Sequence, residues 1–379
     1  MNSAFSRPNW AVINLENLRH NARVLALHAA PAKILAVIKA GAYGHGAYHV
    51  SHALQNEECV QFFGVASVDE GQQLRGLGIE KPILLLSAIL PDEVADAVSH
   101  ELSPTIFSVE IARRVSLESA RQNKTTRAHF KVNTGMNRLG AHFSHAARVF
   151  DEIRALPNLE IEGVYTHMAC ADDENDELTP SQLARFQEFL REIGAGNLVK
   201  HAANSATTLR YKDAHFDLVR PGIALYGAHP CLDCAAPSLD LRPVMTWKSR
   251  VTAIQNVRAG EGVSYGSVWR AAQNARVAVV ACGYADGYPR SLSGVNTSGA
   301  GENRGGEILL RGARFPVVGR VTMDQILVNI GAAPCEIGDE VTLWGQGLPV
   351  EEVAARAGTI SYELLCSVSS RVPRVVIGS

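Results

Sequence analysis

Lys39 is the residue whose surroundings suit it least. It closes the apolar run 34–38 (ILAVI) and precedes the glycine-rich stretch 40–46 (AGAYGHG), a turn through which backbone can approach a ligand closely. A lysine in such a place has two readings. Its amine snorkels into water past a strand end, or it sits partly desolvated, with lowered pKa, and forms a Schiff base with a carbonyl cofactor. Other polar groups close later apolar runs in the same way: Lys131 and Arg138 in 131–140 (KVNTGMNRLG), His167 after 163–166, His201 and Ser205 in 201–205 (HAANS), and Arg220, Gly222 and Ile223 in 220–223 (RPGI). So many cations need anions to offset them. The small residues and N–H groups around Ser205, Gly222 and Ile223 suit a phosphate; joined to a Schiff-base lysine, they point to pyridoxal phosphate. Taken singly, His201 fits a core histidine, Ser205 a helix cap and Arg220 half of an ion pair. Their recurrence at successive run ends favours a site.

Such groups converge only if the runs are strands that end on a common rim. Eight candidate strands, 34–39, 62–66, 83–86, 105–108, 129–132, 163–167, 199–202 and 218–220, alternate with helical stretches. That number closes an α/β (β/α)8 TIM-type barrel, whose functional groups gather where the strands end. Leu183, Phe186, Leu190 and Ile193 recur at helical spacing after Pro180, and Ser67 with Glu70 matches a capping box. Past about residue 238 the rhythm changes to strand-like runs without long helices, at 246–256, 275–282, 308–310, 315–318, 326–330 and 340–344. A mostly β second domain is expected. The expected division is 8–238 and 239–379, with the proline-bearing stretch 230–243 as junction and 291–306 as a mobile loop.

Composition narrows the function further. The 379 residues are 46% hydrophobic and 20% charged, with a net charge of −2, too balanced to hold nucleic acid or a membrane surface by field alone. No apolar run approaches a membrane span. Residues 1–9 show no secretory signal, so the cytoplasm is the expected compartment, where the 7 cysteines stay reduced. Cys231 and Cys234 form a C-x-x-C pair without a second pair or a histidine pattern, which reads as chance in a linker, and no metal site is expected.

Longer motifs stand at 36–46 (AVIKAGAYGHG), 163–167 (GVYTH), 201–205 (HAANS), 219–227 (VRPGIALYG), 263–266 (VSYG), 283–290 (GYADGYPR), 321–324 (VTMD), 360–366 (ISYELLC) and 371–374 (RVPR). Through them the chain resembles bacterial alanine racemases over nearly its whole length. The resemblance implies a barrel, a C-terminal β domain that takes in 10–15, and a head-to-tail homodimer whose active sites each join one barrel to the partner's β domain. It implies an isomerase that interconverts L- and D-alanine, for peptidoglycan supply or for alanine breakdown. It assigns the cofactor to Lys39, with Tyr43, Ser205, Gly222, Ile223 and Tyr362 around the phosphate.

The resemblance also assigns roles in the reaction. Lys39 and Tyr265, the latter from the second subunit, are the two bases on opposite faces of the substrate. A free phenol, with a pKa of about 10, is a poor base unless cations stabilise its phenolate, and His167 is expected to link Tyr265 toward Arg220. Arg220 faces the cofactor's ring nitrogen and weakens the electron sink, which curbs side reactions. Arg138 and the Met323 N–H hold the substrate carboxylate. Lys131 matches a position carbamylated in relatives, Asn133 stands where many have Asp, and Tyr284, Arg290 and Asp286 lie in the entrance motif. A narrow entrance favours alanine, with serine as the tolerated alternative. A non-catalytic pyridoxal-phosphate carrier would lack the β domain. A decarboxylase of a larger basic amino acid would need a different C-terminal set. A metal-dependent hydrolase built on His167, His201 and carbamylated Lys131 would want paired histidines where Lys39 stands.

Overall fold

The computed structural model describes residues 7–230, 239–295 and 305–378. The Cys231 and Cys234 pair lies outside the described residues, as does most of the expected mobile loop.

Eight parallel strands form the barrel: β1 (Lys33–Val37), β2 (Val60–Val65), β3 (Ile83–Leu85), β4 (Ser103–Ile106), β5 (Thr126–Asn133), β6 (Leu159–Tyr165), β7 (Val199–His201) and β8 (Leu218–Val219). Each pairs with the next, and β8 pairs back onto β1, so no edge is left open. All eight expected strands are present, but β1, β2, β3, β4, β6, β7 and β8 end one or two residues earlier than expected. Lys39, His167 and Arg220 therefore stand just beyond strand ends, in the rim loops, rather than as the last strand residues.

The helix Leu178–Glu192 shows how the outer ring is fixed. Its apolar stripe buries Phe186 and Phe189, and Phe189 stacks on Phe130 of β5 at 5.8 Å between ring centroids. Truncating a buried phenylalanine of this kind costs about 3–5 kcal/mol. The expected capping box at Ser67 is only half formed. Ser67 Oγ accepts from the Glu70 amide at 3.3 Å, but the Glu70 carboxylate accepts from Ala66 N (2.7 Å) and Ala40 N (2.6 Å) instead of returning to the cap.

The second domain is a mostly antiparallel sheet around the long strand Met245–Val257. The N-terminal strand Asn9–Asn14 inserts into it, antiparallel to Met245–Val257 and parallel to Arg374–Ile377. Two short helices, Val350–Ala357 and Ser361–Ser367, add to the strand-like runs. One apolar core runs through both domains. A separate small cluster of Val263, Trp269, Ala271, Val277 and Val318 underlies the turn that carries Tyr265. Among the described residues, no helix is long and apolar enough to cross a membrane.

Candidate active site

A cavity of about 500 Å³ opens where the barrel strands end. Its wall carries Lys39, Lys131, Arg138 and Arg220 and no carboxylate. Four cations facing one space with no acid among them make a site for anionic ligands, since each bears the cost of partial desolvation without a local counter-charge. Lys131 is buried, and burial, reinforced by Arg220, Arg138 and Lys39, lowers its amine to about 7. Part of it is then uncharged near neutrality.

Lys39 opens a turn of unusual hand. Ala40, Gly41, Ala42, Tyr43 and Gly44 have φ of 52°, 60°, 56°, 52° and 77° in succession. Three of the five carry a Cβ, and a left-handed residue of that kind costs about 1–2 kcal/mol. Backbone strain of this size persists where surrounding contacts over-determine it, which is a mark of functional sites.

Of the five residues expected around the phosphate, Tyr43, Ser205, Gly222 and Tyr362 line the cavity and Ile223 does not. Ser205 Oγ accepts from Gly222 N (2.9 Å) and Ala224 N (3.3 Å). Ile223, fully buried, opens a single 3₁₀ turn, whose first amides have no partner within the turn. The rings of Tyr43 and Tyr362 lie 6.1 Å apart at a tilt of 48°, and burial raises both phenols, keeping them neutral donors. A Cβ on Gly222 would collide with the Tyr43 hydroxyl, so only glycine leaves this cradle open. A hydroxyl-and-amide cradle beside a lysine fits the phosphate and the aldehyde of pyridoxal phosphate.

Arg220 lies beneath. Its guanidinium donates to Thr166 O (2.8 Å), Ala202 O (3.0 Å), His201 Nδ1 (3.0 Å) and His167 Nδ1 (3.1 Å). Burial lowers it to about 10, so it stays charged at neutral pH. Because a guanidinium cannot accept, both histidines accept at Nδ1 and carry their proton on Nε2. Burial, with Arg220 and Lys131 among the charges adding to it, holds both rings well below the usual histidine range. His201 Nε2 therefore donates to His129 Nδ1 (2.8 Å), whose Nε2 faces Glu162 at 3.3 Å.

Tyr165 has no assigned role in the sequence reading, yet it organises this layer. Its ring stacks on His201 at 4.6 Å and lies under both Lys131 (5.0 Å) and Arg220 (5.2 Å). Its hydroxyl meets Thr105 Oγ1 at 2.6 Å. The strand period of two, which puts Gly163 and Tyr165 on the same face of β6, is the signal that could have found it.

The remaining candidates are elsewhere. Tyr265, Tyr284, Arg290 and Met323 line a separate hollow on the β domain, with no barrel residue in its wall. Tyr265 is 72% exposed and Met323 53%. Ser264, just before Tyr265, has φ 62° and ψ −174°, a region almost confined to glycine. Within one chain, His167 is thus not brought to Tyr265, nor Arg138 to Met323. Asp286 is not on the wall of this hollow: it is buried, pairing with Arg7 at 2.6 Å and facing Arg371 at 3.6 Å, and it accepts from Gly283 N at 2.9 Å. It braces the loop that carries Tyr284. Asn133 folds its own loop, accepting from Gly135 N (3.2 Å) and Asn137 N (3.0 Å).

The model of the alanine racemase N-terminal domain matches residues 13–230, and that of the C-terminal domain matches 244–376. The chain belongs to the alanine racemase family. An alanine racemase of Desulfovibrio desulfuricans is 40% identical with 99% of each chain aligned, and one of Nitrosomonas eutropha is 42% identical over 98% of this chain and 99% of that one. The solved alanine racemase of Clostridium difficile superposes with a TM-score of 0.90 at 36% identity, covering 98% of this chain and 96% of that chain. A biosynthetic alanine racemase of Pseudomonas aeruginosa gives 0.88 at 36%, covering 98% and 99%. The activity is accordingly the interconversion of L- and D-alanine, an isomerase reaction, and the cofactor is pyridoxal phosphate. These findings do not favour the serine-tolerant alternative or the non-catalytic carrier.

Proposed function

We propose that the chain racemises alanine as a homodimer, with Lys39 on one face of the substrate and Tyr265 of a second copy on the other. The observation that supports this most directly is the division of the site. The cationic cavity holds Lys39 but no residue of the Tyr265 hollow, and Tyr265 stands exposed on a strained turn over its own small core. Two-fold pairing of identical chains would bring each hollow over a partner's cavity. The division of labour largely follows the chain: 8–238 supplies every holder of the cofactor except Tyr362, and 239–379, with the first strand, supplies the second face.

Lys39, Tyr43, Ser205, Arg220, Gly222, Ile223 and Tyr362 would hold pyridoxal phosphate, which when bound acidifies the α-proton of alanine. Lys39 Nζ takes that proton from the D isomer and returns it there. The Tyr265 oxygen does the same on the L side. The His167 Nε2–H, fixed by the Arg220 bond to Nδ1, is the donor available to stabilise a phenolate at Tyr265. Arg138 binds the substrate carboxylate, joined by the Met323 amide of the second copy, and Tyr284 and Arg290 flank the entrance.

Arg220 presents a permanent cation where a carboxylate would strengthen the electron sink. Arg220→Glu is expected to increase pyruvate release from alanine relative to racemisation, measured with a coupled dehydrogenase. An unchanged ratio would remove this role.

Lys131, whose amine is lowered to about 7 by burial and by the neighbouring cations, would as the free amine take up carbon dioxide as a carbamate with loss of a proton, turning its repulsion of Arg138 into attraction. Depleting bicarbonate is expected to raise KM for alanine with little change in kcat, and adding it back to reverse the rise. A KM indifferent to bicarbonate, with an unmodified Lys131 by intact mass, would defeat the carbamate.

A further inference from the structure

The turn after Lys39 is gripped from outside the cavity. Ala40 N, the amide that follows Lys39, donates to Glu70 Oε1 at 2.6 Å, while Glu70 Oε2 holds Ala66 N at 2.7 Å. Both carboxylate oxygens are thereby used, and neither returns to the helix start that the local pattern would have them cap. At the far side, His45 Nδ1 lies 3.0 Å from Ala42 O and 2.9 Å from Tyr43 O, with its ring stacked on Tyr226 at 4.4 Å. Arg374 Nε donates to Gly44 O at 3.0 Å. Gly44 itself packs so closely on the Leu365 carbonyl that a Cβ there would collide with it. Glu70, His45 and Arg374 are all absent from the cavity wall.

We propose that Glu70 is a positioning residue for Lys39: its carboxylate holds Ala40 left-handed and so sets where the Lys39 amine meets the cofactor and the substrate. Two features set this apart from ordinary helix capping. The carboxylate leaves its own helix to reach a residue 30 positions upstream. The amide it chooses belongs to the first residue of the left-handed run. Without that acceptor, Ala40 gains by reverting to negative φ, and the Lys39 side chain leaves with it. His45 and Arg374 hold the other end, so the turn keeps two anchors and the protein its fold. This inference rests on the reading of Lys39 as the cofactor lysine.

The test uses the full-length protein with Glu70→Ala, Glu70→Gln and the double change Glu70→Ala with Ala40→Gly. Three quantities are read: affinity of the apo-protein for pyridoxal phosphate by fluorescence titration, the apo-protein's unfolding temperature, and kcat with KM. Glu70→Ala is expected to weaken cofactor binding about tenfold or more and to lower kcat by more than it changes KM, because a misplaced reacting group is felt in turnover. Glu70→Gln, which keeps one acceptor oxygen, should fall between. Glycine adopts positive φ at little cost, so Ala40→Gly should recover most of the affinity lost in Glu70→Ala. A Glu70→Ala protein that unfolds at lower temperature but binds the cofactor as the wild type does would overturn the proposal. So would a glycine that rescues nothing. Wild-type apo-protein that takes up no pyridoxal phosphate would instead defeat the underlying reading of the cavity.

Discussion

Tyr265→Phe is expected to separate the two halves of the reaction. In deuterium oxide, the variant given D-alanine should exchange the α-proton and return D-alanine carrying deuterium, with almost no L-alanine formed. Given L-alanine, it should exchange slower than the wild type by a factor on the order of 10²–10⁴, the range that one positioned proton carrier supplies. Lys39 is on the cavity wall and Tyr265 on a separate exposed hollow, and in the proposed dimer each reaches only one face of a planar centre. Phenylalanine keeps the ring and removes only the oxygen. Tyr265 is 72% exposed in the single chain, so loss of its hydroxyl leaves no partner within that chain unsatisfied. L-alanine exchanging at the wild-type rate would mean that another group serves that face.

The second large effect is expected of Lys39→Ala. On the proposed reading it removes both the covalent tether of the cofactor and the proton carrier for the D isomer, so racemisation should fall by a factor on the order of 10⁴ or more. Two further readouts distinguish this from misfolding. After borohydride treatment and dialysis the wild type retains the cofactor absorbance and the variant loses it. Methylamine added to the variant should restore part of the exchange of D-alanine and none of that of L-alanine. Retention of borohydride-fixed cofactor by Lys39→Ala would place the tether on another amine, with Lys131, buried in the same cavity, the first to examine.

The convergence of these groups is legible in the sequence because a parallel barrel puts every strand end on one rim. Lys39, Lys131, His167, Ser205 and Arg220 each follow an apolar run, and counting eight runs is enough to bring them together. The turn around Lys39 is not legible in the same way. Alanine and tyrosine do not announce positive φ, and the left-handed run is imposed by Glu70, Leu365 and Arg374, which are remote in sequence. Ser67 and Glu70 show the limit of local pattern. The hydroxyl caps its helix as expected, while the carboxylate is drawn away by a tertiary partner. The column His201, His129 and Glu162 is hidden for a similar reason: its members come from three strands that meet only when the ring closes. The helix Val350–Ala357, by contrast, had a readable signal in the spacing of Val350, Val353 and Ala354 and in Gly358, which ends it at φ 73°.

The charge pattern carries a separate lesson. Lys131 and Arg220 are buried without a carboxylate on the cavity wall, an arrangement that a bound anion would complete. The neutral donors on Tyr43, Ser205 and Tyr362 suit a phosphate's oxygens, and the cations suit its charge and that of an amino-acid carboxylate. The single chain also displays Tyr265 and Met323 to solvent, over a hollow that holds no barrel residue.

Subunit mixing tests the shared site most directly. Lys39→Ala and Tyr265→Phe proteins, each inactive in racemisation, are combined in equal amounts, dissociated and reassociated. Every mixed dimer then holds one site with both residues intact and one with neither, so activity should return to about a quarter of the wild-type value if copies pair at random. A mixture that stays inactive, although differently tagged subunits are recovered together, would contradict a site in which Lys39 and Tyr265 come from two chains.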